Sequence, residues 1–401
     1  MRLAKSSFFV LVVLSVLEIS AMQSAKKIIK VGPDLGYPFS PAVRAGNLIY
    51  LAGTMAIDDQ GKLATGDIRA QTRRVLDNLS GVLDASGSSL SNVVSVHVYL
   101  KSSSDFQAMN EVYRGYFPKD PPARTTVVAD FVLPGGLVEI SMVAVPNGAE
   151  RRVVHPDHWV KSPSPYSYGI QSGDTLFVSG LVSRNGKDNT VVAGDITTQT
   201  KTILDNAGEI LEAAGMSHAD VVSSRVFITD TALFQAMNAA YRGYFGQSPP
   251  ARATVRSGLM GPQYLIEVTL VAVKGPKREA ITTPNADGAS AQPSPNLSSA
   301  IRVGNRLYLS GMLGNTEATR TDTAAQTRET LVRIGRTLKA AGFEWSHVVD
   351  GVVYLTDAGN FAAMNGAYRE IFKADFPARA TVQSGLVAPD GLVEIMFTAV
   401  K

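Results

Sequence analysis

One sentence of sequence, written three times, constrains this chain more than anything else in it. Phe106-Gln107-Ala108-Met109-Asn110, followed by Tyr113-Arg114 and Phe117, returns as Phe234-Gln235-Ala236-Met237-Asn238 with Tyr241-Arg242 and Phe245. It returns again as Phe361-Ala362-Ala363-Met364-Asn365 with Tyr368-Arg369 and Phe372. Each copy leads into Pro-Ala-Arg, ending at Arg124, Arg252 and Arg379, which stand 128 and 127 residues apart. Solenoid repeats of roughly 20–50 residues share one core between neighbours. The period here is domain-sized, so each copy can bury a core of its own. The chain reads as three tandem copies of one small domain, which suits 401 residues at roughly 100–200 residues per domain.

Within the first copy, from about Lys27 to Pro146, the pattern predicts an α+β unit. Extended segments at Ala42-Val43 and Leu48-Ile49-Tyr50-Leu51 end at Ala52-Gly53; Leu176 to Gly180 and Leu307 to Gly311 correspond. A helix follows from Ile68 to Ala85, with Asp67 as N-cap and Gly87 as stop. Its apolar residues Val75, Leu76, Leu79, Val82 and Leu83 share one face. The β-branched run Val93 to Leu100 is a strand. The Phe-x-Ala-Met-Asn segment is a second helix, stopped before Pro122, Pro250 and Pro377. Two closing strands, 125–132 and 138–145, are expected as a hairpin about Pro134-Gly135. The result is a sheet with two helices on one face. Repeats 2 and 3 run over 153–274 and 296–401. Residues 275–295, rich in Pro, Ala, Ser, Thr and Asn, read as a flexible tether.

Net charge is only +3 without a long basic run, so no nucleic-acid partner is expected. With no cysteine, thiol catalysis, thiolate metal sites and disulfides are excluded. Arg2 and Lys5 precede the apolar run Phe8 to Leu17, and Ile19-Ser20-Ala21 follows. That order is a secretory signal over 1–21, the run being short of the roughly 20 residues a membrane span needs. The expectation is a secreted or periplasmic protein beginning near Met22. His155 and His158 are the one histidine pair close in sequence. Pro156 between them prevents a shared helix face, so no metal site is expected.

Three polar positions align across the copies: the arginines Arg124, Arg252 and Arg379; a glutamate fifteen residues after each, Glu139, Glu267 and Glu394; and the helix asparagines Asn110, Asn238 and Asn365. A carboxylate set among apolar strand residues is costly to bury without a partner or a task. A structural Arg–Glu pair copied three times and a catalytic pair copied three times both satisfy that pattern.

The strand ending in Ser-Gly, the Asn-x-x-Tyr helix, Pro-Ala-Arg-x-Thr-Val and the glutamate in a Val-Glu-Ile strand together resemble the RidA (YjgF) family of imine deaminases. The resemblance covers about 120 residues, three times over. It implies a chorismate-mutase-like fold, homotrimers with ligand clefts between subunits, and hydrolysis of reactive 2-imino acids to 2-oxo acids and ammonia without a cofactor. In one chain, the three repeats would then form a monomeric pseudotrimer. By the same resemblance Ser179 and Ser310 are pocket serines, where repeat 1 has Ala52, and Tyr166 is the pocket tyrosine, where the others have Phe39 and Leu297. Thr126, Thr254 and Thr381 stand where family members often carry cysteine.

The chemistry suits these residues, because an arginine fork takes a carboxylate bidentately and a glutamate can deprotonate a water. A binding module for small carboxylates is the competing reading, and an endoribonuclease of the L-PSP type the third. In the expected hairpin, Arg124 and Glu139 would lie on the order of 23 Å apart at ~3.3 Å per residue. The site must then combine the arginine of one repeat with the glutamate of another. Tyr166, Ser179 and Glu267 would take Arg124 or Arg379, not Arg252.

Overall fold

The computed structural model describes residues 26–275 and 277–401; the expected leader, 1–21, and the mature start near Met22 lie outside the described residues. Each repeat builds its core in the same way. The helix Ile68–Ala85 starts where the Asp67 carboxylate accepts from the Ala70 amide at 2.9 Å, satisfying one of the open N–H groups of its first turn. It stops where Gly87 takes φ +76°, a left-handed conformation that favours glycine. Val75, Leu76, Leu79 and Leu83 are fully buried against Val96, Val98, Ile140 and Met142 of the sheet. Ile196–Ala213 and Thr323–Ala340 repeat this element.

The central strand Val93–Leu100 runs parallel to the arginine strand Ala123–Val128. A parallel pair needs a crossover, and the second helix, Phe106–Tyr116, supplies it. On its other side the central strand pairs antiparallel with the glutamate strand Val138–Ala144, which in turn pairs with Leu48–Thr54. The expected hairpin of closing strands therefore does not form, because the central strand lies between them. Alternation marks a strand without naming its neighbour. Arg124 stands opposite Val96 and Glu139 opposite Tyr99. Two strand spacings and three residues along separate them, roughly 14 Å: less than the hairpin would give, and still too far for one small ligand.

The sheet face away from the helices is covered by the other repeats. One apolar cluster joins Tyr99, Val127 and Phe131 to Phe227, Val255, Tyr354, Val382 and Leu386, drawing on all three. At the rims each repeat lends backbone to another's sheet. Asp130–Phe131 pairs with the repeat 3 strand Ala378–Gln383, and Gly385–Leu386 pairs with the repeat 2 strand Ala251–Arg256. Gly258 O accepts from Val128 N at 2.8 Å. The three junctions run in one rotational sense and close a ring, the arrangement separate subunits make in a cyclic trimer.

The expected tether is in part a strand. Arg278–Ile281 pairs antiparallel with Ala300–Val303, as Lys27–Ile29 pairs with Ala42–Ala45 in repeat 1. Its Arg-Glu start has no apolar signature because an edge strand faces water. Beyond it, Thr283 and Pro284 are held to the repeat 3 helix by Thr337 and Arg336. Among the described residues no helix is long and apolar enough to cross a membrane.

Candidate active site at the repeat junctions

Phe106, Asn110 and Tyr113 share one face of the second helix through its i, i+4, i+7 spacing, and that face meets the arginine strand. The Arg124 guanidinium lies 4.7 Å from the Tyr113 ring centre and 5.7 Å from that of Phe106. Arg252 sits on Tyr241 and Phe234 at 4.7 and 5.9 Å, and Arg379 on Tyr368 and Phe361 at 4.8 and 5.8 Å. Ring faces attract such a cation and hold it without consuming its N–H donors. Asn238 Oδ1 accepts from Arg252 Nη2 at 2.5 Å, and Asn365 Oδ1 from Arg379 Nη2 at 2.8 Å; in repeat 1 Asn110 Oδ1 is buried without a partner. Asn238 and Asn365 thus hold their guanidinium groups in place. Nη1 of Arg124 and of Arg252, Nε of Arg252 and of Arg379, and Oγ1 of Thr126, Thr254 and Thr381 are buried with no hydrogen-bond partner. Buried donors of this kind are normally satisfied, so the group matches an anionic ligand. Burial lowers all three arginine pKa values, Arg379 to about 10, which leaves Arg379 charged at neutral pH.

The neighbouring repeat completes each cleft. Thr126 N donates to Glu267 Oε1 at 3.3 Å, and the Tyr166 ring lies 5.9 Å from the Arg124 guanidinium. Tyr166, Ser179 and Glu267 of repeat 2 thus meet Arg124, Asn110 and Thr126 of repeat 1. Ser310 and Glu394 of repeat 3 face Arg252, Asn238 and Thr254, with Leu297 replacing the tyrosine. Glu139 of repeat 1 faces Arg379, Asn365 and Thr381 of repeat 3, with Phe39 5.7 Å from Arg379 and Ala52 in place of the serine. Arg124, not Arg379, is the partner of the Tyr166 half-site.

Two features go beyond the sequence reading. Ser179 Oγ donates to Ser167 O at 2.6 Å and accepts from Arg124 N at 2.8 Å. Ser310 Oγ does the same between Ser298 O and Arg252 N. With its one proton committed, each hydroxyl latches two repeats together and has none to steer a water. The second is the protonation of the glutamates. Burial pushes Glu139, Glu267 and Glu394 up to about 8, against the opposing pull of a threonine amide and the facing arginine. At neutral pH they are mostly protonated.

Sequence reasoning missed the glycines beside these carboxyls. A Cβ on Gly53, Gly180 or Gly311 would overlap Oε1 of Glu139, Glu267 or Glu394, and would press on Ala380, Thr125 or Ala253 of the adjoining repeat. The signal was available: a glycine closes the same strand in every copy. The aromatic cradle was also missed, though its Phe and Tyr are part of the repeated motif. His155 Nε2 lies 2.9 Å from Trp159 O and His158 Nε2 2.9 Å from Glu209. The two histidines do not converge, and among the described residues no group of three or more metal-ligating side chains gathers.

The profile of the family described as Endoribonuclease L-PSP matches residues 31–146, 158–274 and 288–401. A RutC family protein of Pyrococcus horikoshii is 44% identical over 108 residues, 27% of this chain and 86% of that protein. The 3-aminoacrylate deaminase RutC of Acinetobacter baylyi is 39% identical over 108 residues, again 27% of this chain and 86% of that protein. Among solved structures, the YjgF gene product of E. coli is 29% identical, with a TM-score of 0.29, covering 31% of this chain and 98% of that one.

Proposed function

The chain belongs to the Endoribonuclease L-PSP (RidA/YjgF) family, and from that membership and the junction clefts we propose that it hydrolyses reactive 2-imino and enamine acids to 2-oxo acids and ammonia. One observation carries the reading. A buried arginine with an unpartnered Nη1 faces a buried glutamate, whose pKa burial raises to about 8, across a repeat boundary, at Arg124 and Glu267. The deaminase name of the Acinetobacter baylyi relative, which matches a single repeat's length, supports it.

In this mechanism the substrate carboxylate lies on the Arg124 guanidinium, with Thr126 Oγ1 beside it. Glu267 gives its proton to the imine nitrogen, or to the carbon β to nitrogen in an enamine. The resulting iminium carbon takes a water oxygen, and a proton from that water returns to the Glu267 carboxylate. The carbinolamine then breaks its C–N bond as Glu267 gives its proton to the nitrogen and the carboxylate takes the hydroxyl proton back, releasing ammonia and leaving the 2-oxo acid. Imine and water enter, oxo acid and ammonia leave, and no electrons change hands. Positioned acid–base chemistry of this kind contributes roughly 10²–10⁴-fold. The test is release of ammonia and 2-oxo acid from imines generated in situ, run beside an RNA cleavage assay. RNA cleavage without ammonia release would overturn the proposal.

A further inference from the structure

We propose that the cleft between repeats 3 and 1 binds carboxylates bearing a bulky aromatic or branched apolar side chain, a larger class of ligand than the cleft between repeats 1 and 2 admits. The inference rests on the proposed function for the pose of the carboxylate on arginine, and it adds the ligand's size and character. A cavity of about 710 Å³ opens here, running from Arg379 and Glu139 past Phe39 to Gly32 and Gly81. Cavities of roughly 300–1,000 Å³ hold ligands of drug size, well beyond a small imino acid.

The space exists because repeat 1 lacks side chains that repeat 2 places there. Between its edge strand and Tyr166 repeat 2 places Trp159; the matching stretch of repeat 1, 30–38, is two residues shorter and has no tryptophan. Trp159 Nε1 donates to Glu209 Oε2 at 2.6 Å, and its ring stands edge-on to Tyr168 at 4.9 Å. Repeat 1 has Gly81 where the helix of repeat 2 has Glu209, and Pro41 where repeat 2 has Tyr168. In repeat 3 the same helix position is Arg336, whose Nε donates to Pro284 O at 3.1 Å. The plug of tryptophan, tyrosine and glutamate therefore belongs to repeat 2 alone; repeat 3 has Ser299 and Arg336 at the tyrosine and glutamate positions.

Nor does the backbone require Gly81. It sits inside an 18-residue helix, where glycine costs roughly 0.5–1 kcal/mol relative to alanine, and a Cβ there would meet nothing within 4 Å. The walls say what would enter. Phe39 and Phe361 flank Arg379 at 5.7 and 5.8 Å, Tyr37 stands edge-on to Phe361 at 5.2 Å, and Val82 and Leu133 continue the surface. A carboxylate on Arg379 thus directs its side chain along an aromatic and aliphatic wall toward Gly81.

Calorimetric titration of the full chain with phenylpyruvate and with pyruvate tests this. Phenylpyruvate is expected to bind at one site per chain. Its affinity should fall at least tenfold in Arg379→Ala and in Gly81→Trp, and the ratio of phenylpyruvate to pyruvate affinity should fall with it. Thermal unfolding reports whether each variant is folded, and Gly81→Leu is read if Gly81→Trp is not. Phenylpyruvate affinity unchanged in Arg379→Ala and in the Gly81 variant would overturn the inference, even with ammonia release from small imines intact. Phenylpyruvate binding that responds as expected, in a protein that deaminates no imine, would remove the proposed reaction and leave this site standing.

Discussion

Glu267→Gln is the substitution that most clearly separates a buried acid from a buried ion pair. Glutamine copies the shape of the protonated carboxyl and cannot ionise. In the folded chain Glu267 is held at about 8 by burial, against an ordinary value of 4.5. A group whose folded value is raised stabilises the fold fully below its unfolded pKa, and that contribution is lost as pH rises toward the folded one. The window therefore runs from about pH 4.5 to about pH 8. Each tenfold difference in proton affinity is about 1.4 kcal/mol, so the loss across the window is on the order of 5 kcal/mol. Glu139 and Glu394 shift in the same direction, so the whole chain should weaken on the alkaline side. Urea unfolding at pH 5, 7 and 9 should show wild type losing stability steadily, with Glu267→Gln losing less by about one glutamate's share. Ammonia release from a small imine should drop roughly 10²–10⁴-fold in the same variant. Parallel pH profiles for wild type and variant, or a wild type that gains stability with pH, would refute the reasoning.

Other outcomes follow from the same junctions. Ser179→Ala should cost about 1–3 kcal/mol of stability by leaving the Arg124 amide unsatisfied, while turnover by folded protein stays near wild type; a large fall in kcat would show a chemical role for the hydroxyl. Gly180→Ala forces a methyl into Glu267 and the Thr125 backbone. Overpacking of that kind costs about 1–3 kcal/mol, and thermal unfolding with the deaminase assay should register both losses. The ring of three junctions predicts a single-chain mass in light scattering. A stable trimer of chains would contradict it, whereas a dimer of rings would not.

Much of this was legible in the residues. Helix limits followed from Asp67 and Gly87, because caps are local chemistry. The repeated motif identified the three arginines and their glutamates; the expectation of a shared site rested on a hairpin distance of ~23 Å that the sheet order replaces with roughly 14 Å. What stayed hidden depends on partners distant in sequence. The glutamate strand inserts beside the central strand, and no periodicity in 138–145 encodes that neighbour. Arg278–Ile281 became a strand only because Ala300–Val303 offered it an edge. The latch role of Ser179 depends on Ser167 O and on an amide in another repeat. Likewise the raised pKa of Glu267 comes from burial beneath Gly180 and Thr125, which an apolar flank suggests but does not measure.

The central claim is that the working site is shared between repeats, and three single variants test it most directly. Arg124→Ala, Arg252→Ala and Arg379→Ala are each assayed for ammonia release from a small 2-imino acid. Arg124 faces Glu267 and Tyr166 in the cleft with the full polar set, so Arg124→Ala should remove most of the activity. Losing that activity only in Arg252→Ala, the arginine in the same repeat as Glu267, would place the site within one repeat and contradict the account.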